Sequence, residues 1–189
     1  MTYITYSPGE LRRRPQNTIL YRPVFEGYVS ASGYLVTMPP NDVLEPPIGT
    51  QTVETVRYSI FIPLFKAVDT TSFIIRVIIG GIARVFVDIA AGITYNYKVY
   101  AKLQKTADYT TFTDLTPEGT AMNYSRAHHT SPTWVDDGPI RWDSGEVSVS
   151  LAKNEVLGLR LRGTSWASSA YRNGNGIRGN NLRLSIYIL

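Results

Sequence analysis

From Phe73 to Leu103 the chain alternates. Phe73, Ile75, Val77, Ile79, Ala83, Val85, Val87, Ile89, Ile93, Tyr95, Tyr97, Val99, Ala101 and Leu103 are apolar or aromatic at every odd position. Arg76, Arg84, Asp88, Asn96, Lys98, Lys102 and Gln104 occupy even ones, among Ile74, Ile78, Phe86 and Tyr100. A period of two places successive side chains on opposite faces of a β-sheet. The parity survives Gly80-Gly81 and Ala91-Gly92, which suits three-residue hairpin loops, because an odd-length loop keeps one parity on one face. The pattern therefore predicts strands near 72–79, 83–89 and 93–105, joined as a meander with one dry face. A membrane helix over 73–93 is the competing reading. It would hold Arg76, Arg84 and Asp88 in the bilayer at roughly 2.5–3.5 kcal/mol each, and the β-branched content also favours strands.

The flanking segments extend the pattern. Val53, Val56, Tyr58, Ile60, Ile62 and Leu64 predict a strand over 51–65, with Pro63 at an edge or bulge. A short Thr/Tyr strand is expected near 108–114, and residues 120–139 read as the longest polar connection, an exposed loop. Ile140 and Trp142 open a further strand. Val147, Val149 and Leu151 predict the next, and Leu157, Leu159 and Leu161 another, with a turn at 152–155. Residues 164–181, TSWASSAYRNGNGIRGNN, read as a loop before a last strand through Leu182, Leu184, Ile186 and Ile188. Residues 1–50 differ: seven prolines break them into an extended arm with short strands near 17–22 and 25–37. About ten strands with turn signals between them predict an all-β antiparallel sandwich over 51–189, a jelly roll as the leading arrangement, preceded by that arm.

Composition narrows the chemistry. The 189 residues are 43% hydrophobic, enough for one sizeable core, and include 13 tyrosines. There is no cysteine, so disulfides, thiolate metal sites and a cysteine nucleophile are excluded. A net charge of +4 is low for a duplex-DNA binder. No secretory signal and no membrane span are expected.

Candidate chemistry is sparse. His128-His129 is the one histidine pair, and adjacent residues on an extended segment seldom chelate one ion. Asp136-Asp137-Gly138 reads as a turn, lacking the alternating ligands of a calcium loop. No nucleophile elbow is present, and the acids are scattered. The glycines of RNGNGIRG do not open a helix, as a phosphate loop would. No cofactor is implied and no catalytic residue is named. Arg12, Arg13 and Arg14 could contact nucleic-acid phosphates or a neighbouring subunit. Arg84, Phe86, Lys98 and Tyr100, on the mixed face opposite the apolar stripe, are candidates for a subunit interface. Trp134, Trp166 and Tyr171 are candidates for glycan or partner binding from the two long loops.

The proline-broken arm with its arginine cluster, the tyrosine-rich all-β body and the absence of catalytic motifs resemble the small single jelly-roll structural proteins of virus particles: capsid, capsid-decorating or spike-base subunits. The resemblance is one of layout, and no residue-level motif carries a family site across. It implies a virion building block, assembled in the host cytoplasm, whose partners are its own copies and other virion proteins. A carbohydrate-binding sandwich is the alternative from another class, and a sandwich hydrolase would need two acids converging in a cleft.

Overall fold

The computed structural model describes the strand segments Thr18–Tyr21, Tyr28–Ser30 and Leu35–Val36 as backbone, and then residues 43–188, with side chains from Leu44 onward except at 179 and 180. Arg12, Arg13 and Arg14 lie outside the described residues. Among the described residues thirteen strands make up the regular structure: β1 (Thr18–Tyr21), β2 (Tyr28–Ser30), β3 (Leu35–Val36), β4 (Val43–Leu44), β5 (Thr55–Lys66), β6 (Thr71–Val87), β7 (Tyr95–Thr106), β8 (Thr113–Asp114), β9 (Gly119–Arg126), β10 (Thr133–Asp143), β11 (Val147–Leu151), β12 (Val156–Ala167) and β13 (Gly174–Ile188).

They form two antiparallel sheets. The first runs β1-β13-β6-β10, with β11 continuing the β10 edge along β6 and β4 adding to the β1 edge of β13. The second runs β3-β2-β5-β12-β7-β8, with β9 sharing the outer edge of β7. From β5 onward the chain crosses from sheet to sheet at β5–β6, β6–β7, β9–β10, β11–β12 and β12–β13. This interleaving of an all-β sandwich is consistent with the expected jelly roll. Segments from the proline-rich first 50 residues add β1 and β4 to one sheet and β2 and β3 to the other.

The odd-position stripe faces inward. Ile75, Val77, Ile79, Ala83, Val85 and Val87 of β6 meet Tyr95, Tyr97, Val99, Ala101 and Leu103 of β7 in one core, all fully buried. Each fully buried valine, isoleucine or leucine side chain contributes about 1.5–3 kcal/mol. Leu157, Leu159 and Leu161 of β12 and Leu182, Leu184 and Ile186 of β13 complete the layer.

The meander itself is overturned at both supposed hairpins. β6 runs unbroken through Gly80-Gly81, and neither glycine has a positive φ. Gly81 serves a close approach: a Cβ there would lie 2.3 Å from the Asn181 carbonyl oxygen. The turn at Ala91-Gly92, where Gly92 has φ 78°, carries the chain from one sheet to the other. β6 and β7 share a parity because they face each other across the core.

Two connections and one strand are shorter than the sequence suggests. Residues 120–139 are mostly β9 and β10, with only 127–132 between them. Their pattern is masked by a bulge at Asp137-Gly138, where Gly138 has φ 92° and inward positions pass from odd to even. Residues 164–181 likewise belong mostly to β12 and β13, leaving 168–173 as the connection. The strand near 108–114 shrinks to Thr113–Asp114, because Asp108 Oδ1 accepts the Thr110 and Thr111 N–H groups and turns the chain. Pro63 sits at a bulge, where the β5–β12 register shifts.

Candidate functional surfaces

The two sheets present separate outer faces, and the four residues of the expected interface divide between them. Arg84 and Phe86 point outward from β6, whereas Lys98 and Tyr100 point outward from β7 on the opposite side of the sandwich. They do not form one patch.

On the first outer face, Phe86 meets Trp134 edge-on at 5.6 Å between ring centroids. The Trp134 ring reaches across to β13, where a Cβ on Gly174 would lie 2.9 Å from it and one on Gly176 3.3 Å. The glycines of RNGNGIRG thus make room for an aromatic ring and, at Gly176, for the Leu44 carbonyl. Arg84 pairs with Glu45 and with Asp136, at 2.9 Å for the latter. Burial raises the Asp136 carboxyl, but Arg84 and Arg178 outweigh it and hold it below its ordinary value. Farther along β6, Ile82 and Ile74 are exposed, and Arg76 is paired with Asp143.

On the second outer face, Glu54 is the hub. It accepts Lys98 Nζ at 2.9 Å, Tyr100 Oη at 2.6 Å and Thr164 Oγ1 at 3.0 Å. Burial pushes this carboxyl up, yet the three hydrogen bonds hold it below the usual range. Lys98 also lies 5.2 Å from the Trp166 ring centroid, and the Arg162 guanidinium stacks on Tyr100 at 4.3 Å while pairing with Glu118. Toward the far end, Arg160 is buried under Phe112 at 4.2 Å and bonded to Gln104.

Trp134 and Trp166 are therefore strand residues on opposite faces, and Tyr171 alone of that trio stands on a loop. The three do not converge into one stacking platform. The His129 N–H donates to the Asp88 carbonyl oxygen, and its Nδ1 accepts the Ser131 N–H. Among the described residues no group of three or more His, Asp or Glu side chains could hold a metal ion, and no helix is long and apolar enough to cross a membrane.

The third surface is the end of the sandwich where residues 45–54, 88–94, 127–132 and 168–173 gather. These loops are tied together by backbone bonds, Gly49 to Asn173, Ala167 to Gln51 and Ser168 to Thr94. Arg172 clamps the Asp88 carboxylate at 2.9 and 3.2 Å and lies 5.7 Å over Phe86, holding the last loop to the end of β6. That end nevertheless exposes large apolar side chains: Ile48, Tyr171, Ile89 at 53% and Val53 at 69%.

No family model and no curated protein matches the sequence. Two solved structures are similar in layout. A chain in the structure of infectious bursal disease virus, Gx strain, overlaps with a TM-score of 0.30 and 9% identity, covering 92% of this chain and 38% of that one. A chain in the crystal structure of the T13 particle of the same virus gives a TM-score of 0.26 and 11% identity, covering 82% and 37%. The present chain thus spans less than two-fifths of the length of either.

Proposed function

We propose that this chain is a structural subunit of a virion, acting by assembly with copies of itself and with other virion proteins. One observation carries the assembly reading: Ile48, Val53, Ile89 and Tyr171, from three loops, are exposed together at one end. Contiguous exposed apolar groups mark interaction sites, and tyrosine is enriched at protein interfaces. The virion setting follows from the layout resemblance of the sequence, namely an arginine-bearing proline-rich leader on a tyrosine-rich all-β body.

The test is the mass of the purified chain at rising concentration by light scattering, beside a Val53→Glu/Ile89→Glu double variant. Both side chains are already exposed, so the variant should melt as the wild type does. Assembly of the wild type and a monomeric variant are expected. A wild type that stays monomeric at high concentration, and purifies without partners from its native source, would overturn the reading.

A further inference from the structure

β6 lies inside the first sheet, between β13 and β10. Val77, Ile79 and Ala83 fill the core, so the even-numbered residues of this stretch face outward. Gly80 therefore interrupts an outward row between Ile78 and Ile82, and a Cβ on it would meet nothing within 4 Å. The outer face has a notch at this point, one side chain deep.

Two cations stand across the notch. Gly80 is the register partner of Arg141 on β10 and of Arg183 on β13, so all three share the outward face, and both arginines are exposed. Adjacent strands lie about 4.8 Å apart, which sets the two arginine Cα atoms about 10 Å apart with the glycine midway. Neither guanidinium has a hydrogen bond or an ion pair among the described residues. Asp143, two residues from Arg141, is already taken: its oxygens accept Arg76 Nε at 3.0 and 3.2 Å, Arg76 Nη2 at 2.5 Å and the Gly145 N–H at 2.9 Å. Arg141 lowers that carboxyl only as a minor influence, behind Arg76. Arg84, farther along the same strand, is likewise paired with acids of the chain. The two arginines beside Gly80 are left facing an open space.

The shape of that space selects the anion. The two oxygens of a carboxylate share one edge and fit a single guanidinium fork, as Asp143 does on Arg76. A phosphate group is a tetrahedron whose oxygens diverge, so two guanidinium groups can bond it from opposite sides. Inorganic phosphate and phosphate monoesters also carry close to two negative charges at neutral pH, matching two cations.

We propose that Arg141 and Arg183 bind one phosphate group between them, seated over Gly80. The site stands independently of the assembly reading. Two merely solvated arginines would not prefer phosphate to another anion and would not depend on the glycine between them.

The experiment is a nitrogen-15 NMR titration of the arginine Nε–H signals of the full chain, at ionic strength held constant with chloride. Inorganic phosphate is added in one arm, oligothymidylate in a second and acetate in a third. Saturable shifts of Arg141 and Arg183 together are expected with at least one phosphate source, and weaker binding with acetate. Tighter binding of inorganic phosphate would identify a free phosphate as the source, and tighter binding of oligothymidylate a nucleic-acid backbone. Arg141→Gln and Arg183→Gln should each weaken binding about fivefold, the upper end for one exposed ion pair. Lys66→Gln, which removes an exposed charge from the other sheet, should leave affinity unchanged. Gly80→Val keeps both arginines, fills the notch and should abolish saturation; if it does not fold, Gly80→Ala should weaken binding measurably. Absence of saturable shifts with both phosphate sources would overturn the proposal. So would acetate binding as tightly, Lys66→Gln costing as much as Arg141→Gln, or affinity unchanged by filling the notch.

Discussion

Gly80 and Gly81 allow a direct test of whether β6 is one strand or two. The perturbation is the same in both: Gly80→Ala and, separately, Gly81→Ala. Neither residue has a positive φ, so alanine adopts either backbone without strain. A Cβ on Gly80 would meet nothing within 4 Å, because that position faces outward between Arg141 and Arg183. The change should therefore stabilise, through reduced entropy of the unfolded chain, by about 0.4–1 kcal/mol. A Cβ on Gly81 would lie 2.3 Å from the Asn181 carbonyl oxygen and 3.0 Å from Leu182 Cδ2. The first of these is backbone, which cannot swing aside, and forced overpacking costs about 1–3 kcal/mol. Two identical substitutions one residue apart should thus differ by about 2 kcal/mol, or roughly 4–8 °C in melting temperature for a domain of this size. Thermal denaturation followed by circular dichroism measures it. If 80–81 were a hairpin turn with left-handed glycines, both variants would lose stability together. That result would refute the continuous strand.

Two other outcomes are expected. Val87→Asp would place a lone carboxylate in the fully buried layer between the sheets, and the variant should be insoluble; a soluble, cooperatively melting protein would contradict the register. Asp88 is held below its ordinary value near 3.8 chiefly by hydrogen bonds from Arg172. Its folded pKa is depressed, so its contribution is present above the unfolded pKa and is lost as pH falls through the folded one. Arg172→Gln should accordingly melt earlier than the wild type at neutral pH, with the difference shrinking as pH drops below about 4; a difference constant with pH would show that the ion pair is not its cause.

Much of the fold was legible because burial imposes a period of two, and that period survives wherever a strand is regular. Val77, Val85, Val87 and Val99 are all buried as their spacing requires. Parity, however, reports only which side of its own strand a residue occupies. It cannot distinguish neighbours in one sheet from strands that face each other, and β6 and β7 face each other. Bulges erase the signal altogether. In β10 the inward positions pass from Val135 to Ile140 and Trp142 across Asp137-Gly138. In β13 they pass from Asn175 and Ile177 to Leu182 and Leu184 across residues 178–181. A window that expects alternation reads such strands as loops. Glycine adds a second ambiguity, since Gly81, Gly174 and Gly176 mark close approach of backbone or ring, yet resemble turn residues in sequence.

The site was less legible than the fold because it depends on which strands become neighbours. At the loop end the buried Arg57 donates to Ser165 and Asn173, each more than a hundred residues away in sequence, and nothing local to Arg57 marks it as buried. The same dependence redirects the search for an assembly contact. Arg84 and Lys98 stand on opposite outer faces, on sheets about 10 Å apart, so a single flat partner cannot engage both. Each is also committed within the chain, Arg84 to Glu45 and Asp136, and Lys98 to Glu54 and the Trp166 ring. A cation already paired offers a neighbour little net attraction, because a new contact must replace an old one and desolvate both groups. The exposed side chains of Ile48, Val53 and Ile89 have no such competing bonds to surrender, and covering them removes apolar surface from water at about 25 cal/mol per Å². On this balance the proposed association between subunits would gain most at the loop end, and at neither sheet face.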